Sequence, residues 1–211
     1  MTKISYEPKG RYLEMIEQGE LKNDARQADI VKKFQQLYHF LSSEDDKNNK
    51  GFLHKIFSFE EDEEAIKGLY IYGDVGRGKS MLMDLFYDLV PGQKRRVHFH
   101  AFMLEIHQEM HEWRYMNSGD RKKKFGTDAD DPIPPLAASI ATSSPLLCFD
   151  EFQVTDITDA MILGRLFEAL FGRGVLLVLT SNRIPDDLYK DGLNRGLFLP
   201  TIELIKNKMD I

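Results

Sequence analysis

The chain has 211 residues, of which 42% are hydrophobic and 29% charged, as in an ordinary globular protein. Its 28 Lys and Arg against 34 Asp and Glu give a net charge of −6, which argues against a protein whose main task is to coat nucleic acid. The single cysteine excludes an intramolecular disulfide and favours a reducing compartment.

The first residues resemble no targeting segment. They lack the apolar stretch of a secretory signal, and early acids at Glu7, Glu14 and Glu17 suit a mitochondrial transit peptide poorly. No run approaches the roughly 20 apolar residues of a membrane-spanning helix. We therefore expect a cytoplasmic protein with at most peripheral membrane association.

The first 65 residues are predicted to form an N-terminal helical segment. Apolar residues recur at near-helical spacing over residues 10–41. A polar, turn-prone loop is expected at residues 42–50. The acidic stretch "FSFEEDEE" at residues 57–64 is interpreted as a solvated face.

From residue 66 onward, short β-type runs alternate with helical patterns. Runs such as "PLLCFDEF" and "GVLLVLTSN" are apolar throughout, which is typical of strands buried on both faces. This alternation predicts a three-layer α/β/α sandwich around a parallel sheet. The predicted strands are 69–72, 96–99, 146–149, 175–180 and 201–204, and the predicted helices are 80–89, 101–116 and 156–171.

Two regions between these elements are predicted to be irregular. Residues 117–131 are polar and are expected to form a loop. Pro132, Pro134 and Pro135 are expected to exclude a helix that includes them.

A phosphate-binding loop is predicted between the first strand and the helix that follows it. Residues 73–80, "GDVGRGKS", fit the pattern G-x-x-x-x-G-K-[ST] in that strand-to-helix context. The glycines allow successive backbone N–H groups to point inward, and the helix N-terminus favours anions. We expect Lys79 to reach the β- and γ-phosphates and Ser80 to bind Mg²⁺. The predicted nucleotide-binding residues are Gly73, Asp74, Val75, Gly76, Arg77, Gly78, Lys79, Ser80 and Met81.

Polar residues follow two other predicted strands. Asp150 is assigned to Mg²⁺ and Glu151 to the general base that accepts a proton from water. The alternative is that this pair caps the next helix, although Asp156 is the better candidate for that cap. Asn182 is a candidate to orient the attacking water, although asparagine at a strand end is also a common turn residue.

Arg195 lies between Gly192 and Gly196, after a predicted short helical stretch at residues 186–193. An exposed arginine there could complete a neighbouring subunit's site by stabilising charge on the transferred phosphate. An ordinary surface arginine is the alternative interpretation.

Several other features favour a structural interpretation. His107 and His111 have the i, i+4 spacing of zinc ligands, but the HExxH pattern and a third ligand are missing. His98 and His100 are expected to share one face of a strand as a hydrogen-bonded pair. Cys148 is expected to lie in the core as a small apolar residue. The basic cluster at residues 121–124 is expected to lie on a solvated loop, so a nucleic-acid partner is not expected.

These segments together resemble the AAA+ ATPases and, more closely, the ZapE-like ATPases. The resemblance covers residues 6–211 and is carried by "GLYIYGDVGRGKSMLMDLFY", "LLCFDEFQVTDITDAMILGRLFEALF" and "LTSNRIPDDLYKDGLNRGLFLPTIELIK". It implies a P-loop NTPase fold, ATP rather than GTP, and a ring-like homo-oligomer in which Arg195 acts on the next subunit. It also implies a protein partner in bacterial cell division, and a C-terminal helical lid that we expect this chain to lack.

The sequence therefore predicts a Mg²⁺-dependent ATPase that remodels a protein partner. The alternative is a nucleotide-responsive adaptor, similar to a DNA-helicase loader, with little hydrolysis. Such an adaptor would bind single-stranded DNA with a steep salt dependence that requires residues 122–124.

Overall fold

The computed structural model describes residues 7–45 and 66–211, so the acidic stretch at 57–64 and residues 46–50 of the expected loop lie outside it. Residues 42–45 of that loop belong to a helix instead. The helical region predicted over 10–41 contains two helices, α1 (Pro8–Glu17) and α2 (Ala25–Asp45). The helical conformation is interrupted between them at Gly19, which has a φ of 75°. Before α2, the Asp24 carboxylate accepts hydrogen bonds from the backbone amides of Arg26 and Gln27.

A five-stranded parallel sheet forms the centre of the molecule, in the order β2-β3-β4-β1-β5. The first four predicted strands are confirmed to within two residues. Both β3 and β4 are buried along their whole length, as their continuous apolar runs predict. The strands are β1 (Gly68–Tyr72), β2 (Lys94–His98), β3 (Leu146–Asp150), β4 (Leu176–Ser181) and β5 (Met209–Asp210).

Helices connect these strands, and the three predicted between them are confirmed as α3, α4 and α7. In the described residues, no helix has both the length and the apolar character needed to cross a bilayer. The helices are α3 (Lys79–Leu89), α4 (Phe99–Tyr115), α5 (Ser118–Phe125), α6 (Ile133–Ser143), α7 (Ile157–Phe171) and α8 (Leu199–Lys208), with 3₁₀ turns at Pro185–Asp187 and Arg195–Leu197.

The predicted irregular region contains two helices, so both predictions there were wrong. α6 begins within the proline cluster, because proline in the first helical turn has no N–H that needs a partner and a φ already suited to the helix. α5 occupies part of the expected loop. The Asn117 side chain accepts the amide of Asp120 at its start, and Gly126 ends it in the left-handed conformation.

Three further predictions near the strand ends were wrong. Residues 201–204 belong to α8, whose buried Thr201, Ile202 and Ile205 follow helical spacing, and the fifth strand comes after it at β5. His98 ends β2 whereas His100 lies in α4, so the two do not share a strand face. Residues 186–193 contain only the end of a 3₁₀ turn and further turns.

Apolar clusters cover both faces of the sheet, as expected for a three-layer fold. One face packs against α4, α6, α7 and α8. The other packs against α1, α2 and α3, and there Phe34 of α2 stacks on Phe86 of α3 with ring centroids 4.4 Å apart. The N-terminal helices therefore share a core with the helix that follows the predicted phosphate loop. The boundary at residue 65 stays a prediction.

Candidate functional site

The carboxyl ends of β1, β3 and β4 meet at one edge of the sheet, where they surround a cavity of about 350 Å³. Because these three strands are adjacent and parallel, their following loops lie side by side. The lining residues are Val75–Met81, Glu151 and Thr180–Asn182. Nine of the predicted site residues line this cavity: Val75, Gly76, Arg77, Gly78, Lys79, Ser80, Met81, Glu151 and Asn182. Its lining does not include the predicted residues Gly73, Asp74, Asp150 and Arg195.

The loop after β1 has the backbone shape of an anion cradle. Gly73, Gly76 and Gly78 have φ values of 152°, 81° and 80°, a region that side chains rarely adopt. A Cβ on Gly73 or Gly76 would meet nothing within 4 Å, so the conformation rather than crowding requires glycine there. Gly78 precedes α3, whose first amides have no partner within the helix and face an anion favourably.

Lys79 folds over this loop. Its ammonium donates to the carbonyl oxygens of Gly73 at 2.6 Å and Asp74 at 2.9 Å, and to Oδ1 of Asn182 at 2.9 Å. Burial lowers the pKa of Lys79 below its usual 10.5, and the Asp74 carboxylate opposes that shift. The cation thus connects the loop after β1 to the end of β4, with neutral oxygens as its partners at this cavity.

Asp150 lies at the buried end of β3, where Arg96 of β2 binds it. Arg96 Nε donates to one carboxylate oxygen at 2.6 Å and Nη2 to the other at 3.3 Å, and the same guanidinium also pairs with Asp84 of α3. Its two carboxylate partners raise the pKa of Arg96 in spite of its burial, so it stays charged. Sequence reasoning missed Arg96, although an arginine within a predicted strand is itself a signal of a buried ion pair.

The donor set at this edge fits Mg²⁺. Ser80 is the second residue of α3 and is exposed at the cavity, and a hydroxyl with a carboxylate is a typical hard-oxygen set for this ion. Arg96 leaves lone pairs of the Asp150 carboxylate free, since a carboxylate has about four acceptor positions. Ser80 would hold the ion directly, and Asp150 would accept hydrogen bonds from its water shell.

Glu151 has a constrained backbone. Its φ is 55°, a left-handed conformation that is uncommon outside glycine. The Glu151 amide lies 3.3 Å from Oγ1 of Thr180, and the next amide, of Phe152, donates to the Thr180 carbonyl at 2.7 Å. Ser181 Oγ donates to the Phe152 carbonyl at 2.7 Å. Thr180 and Ser181, which sequence reasoning gave no role, thus fix the turn that presents Glu151.

Arg195 lies away from the cavity that Lys79 lines. It begins a 3₁₀ turn just after Asn194, which has a φ of 57°, and Nη2 donates to the carbonyl of Asp186 at 2.5 Å. Its Nε is buried and has no hydrogen-bond partner among residues 7–45 and 66–211. Within one chain, therefore, Arg195 does not complete this cavity.

Three other residues discussed in the sequence analysis take part in packing or helix capping. His107 lies 2.6 Å from a carboxylate oxygen of Asp159 and pairs α4 with α7. Asp156 caps α7 by accepting the amides of Thr158 and Asp159, as predicted. Cys148 is fully buried in β3, also as predicted.

Comparisons with known proteins agree with the resemblance inferred from the sequence. The chain is 40% identical over 215 residues to "Cell division protein ZapE" of Escherichia coli (strain K12), covering 98% of this chain and 54% of that protein. It is 52% identical over 142 residues to "Lactation elevated protein 1 homolog B" of Danio rerio, covering 66% of this chain and 28% of that protein. The chain thus spans about half the length of the bacterial relative and less of the fish protein.

Two solved structures share a more distant likeness. A primosome component from Streptococcus pyogenes, described as putative, has a TM-score of 0.44 at 20% identity over 77% of this chain and 79% of its own. DnaI has a TM-score of 0.48 at 14% identity over 91% of this chain and 87% of its own. Neither score reaches 0.5, so neither bears on function.

The family model for the "AFG1-like ATPase" matches residues 6–211, which is nearly the whole chain. The chain belongs to the AFG1-like ATPase family.

Proposed function

We propose that this chain binds ATP with Mg²⁺ and hydrolyses it. The observation that carries the proposal is the position of Lys79, whose ammonium connects the phosphate loop to Asn182 in a cavity that Glu151 also lines. A cation, a cradle of backbone amides, a carboxylate and an amide side chain at one place are the parts that phosphoryl transfer needs. Membership of an ATPase family supports the same activity.

Each side chain has a defined task in this proposal. Lys79 exchanges its carbonyl contacts for the β- and γ-phosphates, while the amides of the loop and of the first turn of α3 bind the remaining phosphate oxygens. Asn182 orients the attacking water, and Glu151 accepts its proton as the water oxygen attacks the γ-phosphorus. The bond between the γ-phosphorus and the β–γ bridging oxygen breaks in the same step, so that ADP leaves and phosphate is formed. Mg²⁺, when bound, neutralises charge on the phosphate oxygens.

We further propose that hydrolysis remodels a protein partner, in a cytoplasmic protein of bacterial cell division. Support comes from the bacterial relative at 40% identity, whose name includes cell division. Conversion of bound ATP to ADP would shift the chain between conformations that bind this partner with different affinity.

A ring-like homo-oligomer is part of the same proposal. Three leucines within four residues of Arg195 in the sequence are exposed, with Leu193 70% exposed, Leu197 62% exposed and Leu199 44% exposed. Exposed large apolar side chains near one another in the sequence support an interface with another protein surface here. In such a ring, Arg195 of one copy would act on the cavity of the next copy.

The adaptor alternative depends on residues 122–124, which belong to the basic cluster at residues 121–124. Two of the four cations in that cluster have partners within the chain. Lys124 pairs with Glu109 at 3.2 Å and Glu112 at 3.5 Å. Arg121 donates to the carbonyl of Trp113 at 3.2 Å and lies over its ring. These contacts favour the ATPase over a DNA-binding adaptor.

Steady-state ATP hydrolysis tests the proposed site. We expect Lys79→Ala and Asn182→Ala each to lower kcat/KM by at least about tenfold, since each removes a group that contacts phosphate or water in the transition state. Lys67→Ala is the matched control, because Lys67 is an exposed lysine at the opposite end of β1. Equal rates for Lys79→Ala, Lys67→Ala and the parent chain would show that the site assignment is wrong.

A further inference from the structure

An N-terminal helix contacts the phosphate loop directly. Gln27, in the first turn of α2, donates from Nε2 to the carbonyl oxygen of Arg77 at 3.1 Å, across 50 residues of sequence. Neither α1 nor α2 contributes a lining residue to the cavity that Lys79 lines. The contact therefore reaches the loop from outside the proposed phosphate site.

Gln27 is itself held in one orientation. The hydroxyl of Tyr12, a buried residue of α1, lies 3.3 Å from Gln27 Oε1 and 3.4 Å from the carbonyl oxygen of Asp24. With the amide oxygen of Gln27 turned to Tyr12, its NH₂ group points to the loop. The backbone N–H of Gln27 also donates to the Asp24 carboxylate at 3.3 Å, and this contact fixes the start of α2.

The contact determines which way one peptide group of the loop faces. In a trans peptide the carbonyl and the following N–H point in opposite directions. Because Gln27 binds the Arg77 carbonyl, the N–H of Gly78 is directed away from α2. With φ of 80° at Gly78, rotation of this peptide would meet little steric resistance from the glycine itself.

The packing at this point is tight. A Cβ built on Gly78 would lie 3.0 Å from Gln27 Nε2 and 3.3 Å from the Met81 methyl group. The first turn of α2 thus lies directly against the last glycine of the loop. A displacement of α2 would consequently change the contacts of the peptide between Arg77 and Gly78.

We infer that Gln27 is a positioning residue for phosphate binding, which orients the Arg77–Gly78 peptide so that its N–H faces the phosphates. The inference rests on the proposed nucleotide site. It makes α1 and α2 part of the nucleotide-binding apparatus, although neither helix contributes a lining residue to the cavity. By linkage, nucleotide binding strengthens the packing of α2 on the loop, and anything that displaces α2 weakens nucleotide binding.

Equilibrium binding of fluorescent N-methylanthraniloyl-ADP to the full chain tests this inference. Gln27→Met keeps the length of the side chain but removes its donor, and we expect the Kd to rise about three- to tenfold, the effect of one net hydrogen bond. Gln27→Glu should weaken binding more, because its carboxylate repels the Arg77 carbonyl. Gln36→Met, on an exposed face of the same helix, is the matched control and should leave the Kd unchanged.

Thermal unfolding without nucleotide separates positioning from a merely structural role. If Gln27→Met lowers the Tm and leaves the Kd of the folded protein at the parent value, the inference is overturned. Lys79→Ala in the same titration separates the two proposals. Loss of binding in Lys79→Ala with no effect in Gln27→Met refutes only the role of Gln27, whereas no effect in either variant refutes the nucleotide site itself.

Discussion

Arg96→Met tests whether the Arg96–Asp150 ion pair holds the end of β3 in place. The substitution keeps much of the apolar stem but removes the guanidinium. Asp150, whose side chain is 8% exposed, then loses both of its contacts with Arg96. A buried carboxylate that loses its cationic partner is no longer compensated for its lost hydration.

The structure sets the size of the expected effect. Removal of one member of a fully buried pair costs about 3–5 kcal/mol. Arg96 is 20% exposed, so we expect the lower end, about 3 kcal/mol of the free energy of unfolding. The contact with Asp84 adds little, since that side chain is 57% exposed and exposed pairs contribute about 0–1 kcal/mol.

Urea unfolding at neutral pH measures this cost. Arg95→Met is the matched control on the same strand. Arg95 pairs with Glu105, whose side chain is 51% exposed, so we expect a loss below about 1 kcal/mol. A double-mutant cycle with Asp150→Asn should give a coupling energy above about 1 kcal/mol. Additive effects, or equal losses in Arg96→Met and Arg95→Met, would refute the argument.

Three further predictions concern the core and the caps. Phe34→Ala should lower the free energy of unfolding by about 3–5 kcal/mol in urea titrations, because Phe34 is fully buried against Phe86. Burial raises the pKa of Cys148 to about 12, so its thiol should react with iodoacetamide at pH 8 only when the protein is unfolded. The amide of Thr158 lowers the pKa of Asp156 below 3.8. That cap therefore contributes above pH 3.8 and is lost as the pH falls through the lowered value, so the Tm difference between Asp156→Ala and the parent should narrow on acidification.

The sheet could be predicted from the sequence because its strands are buried on both faces. Continuous apolar runs such as those of β3 and β4 have few other interpretations in an α/β protein. The glycines and Lys79 of the phosphate loop were equally informative, since a strand, a glycine turn and a helix in that order define the local geometry. The neighbourhood of Glu151 and Asn182 then follows from parallel strands that end at one edge.

The errors arose where local signals compete. Three prolines predict the absence of a helix in most positions, but proline is well suited to the first turn, where α6 begins. In residues 201–204, β-branched Thr201 and Ile202 were compatible with a strand, and only the spacing to Ile205 indicated the helix.

Contacts between segments that are distant in the sequence could not be predicted from it. Arg96 could have been noted as a charge within a strand, but its partner Asp150 becomes a neighbour only through the register of β2 with β3. Gln27 gives no signal at all, because its partner is a backbone carbonyl 50 residues away. Such residues require the packing of the helices to be known.

Single-turnover cleavage of bound ATP by Glu151→Gln tests the central claim most directly, since it separates nucleotide binding from hydrolysis. The amide keeps the shape of Glu151 but cannot accept the proton of water. We predict that this variant binds ATP with the affinity of the parent chain and cleaves it at least about a hundredfold more slowly. Cleavage at the parent rate would contradict the assignment of Glu151 as the general base and, with it, the proposed mechanism.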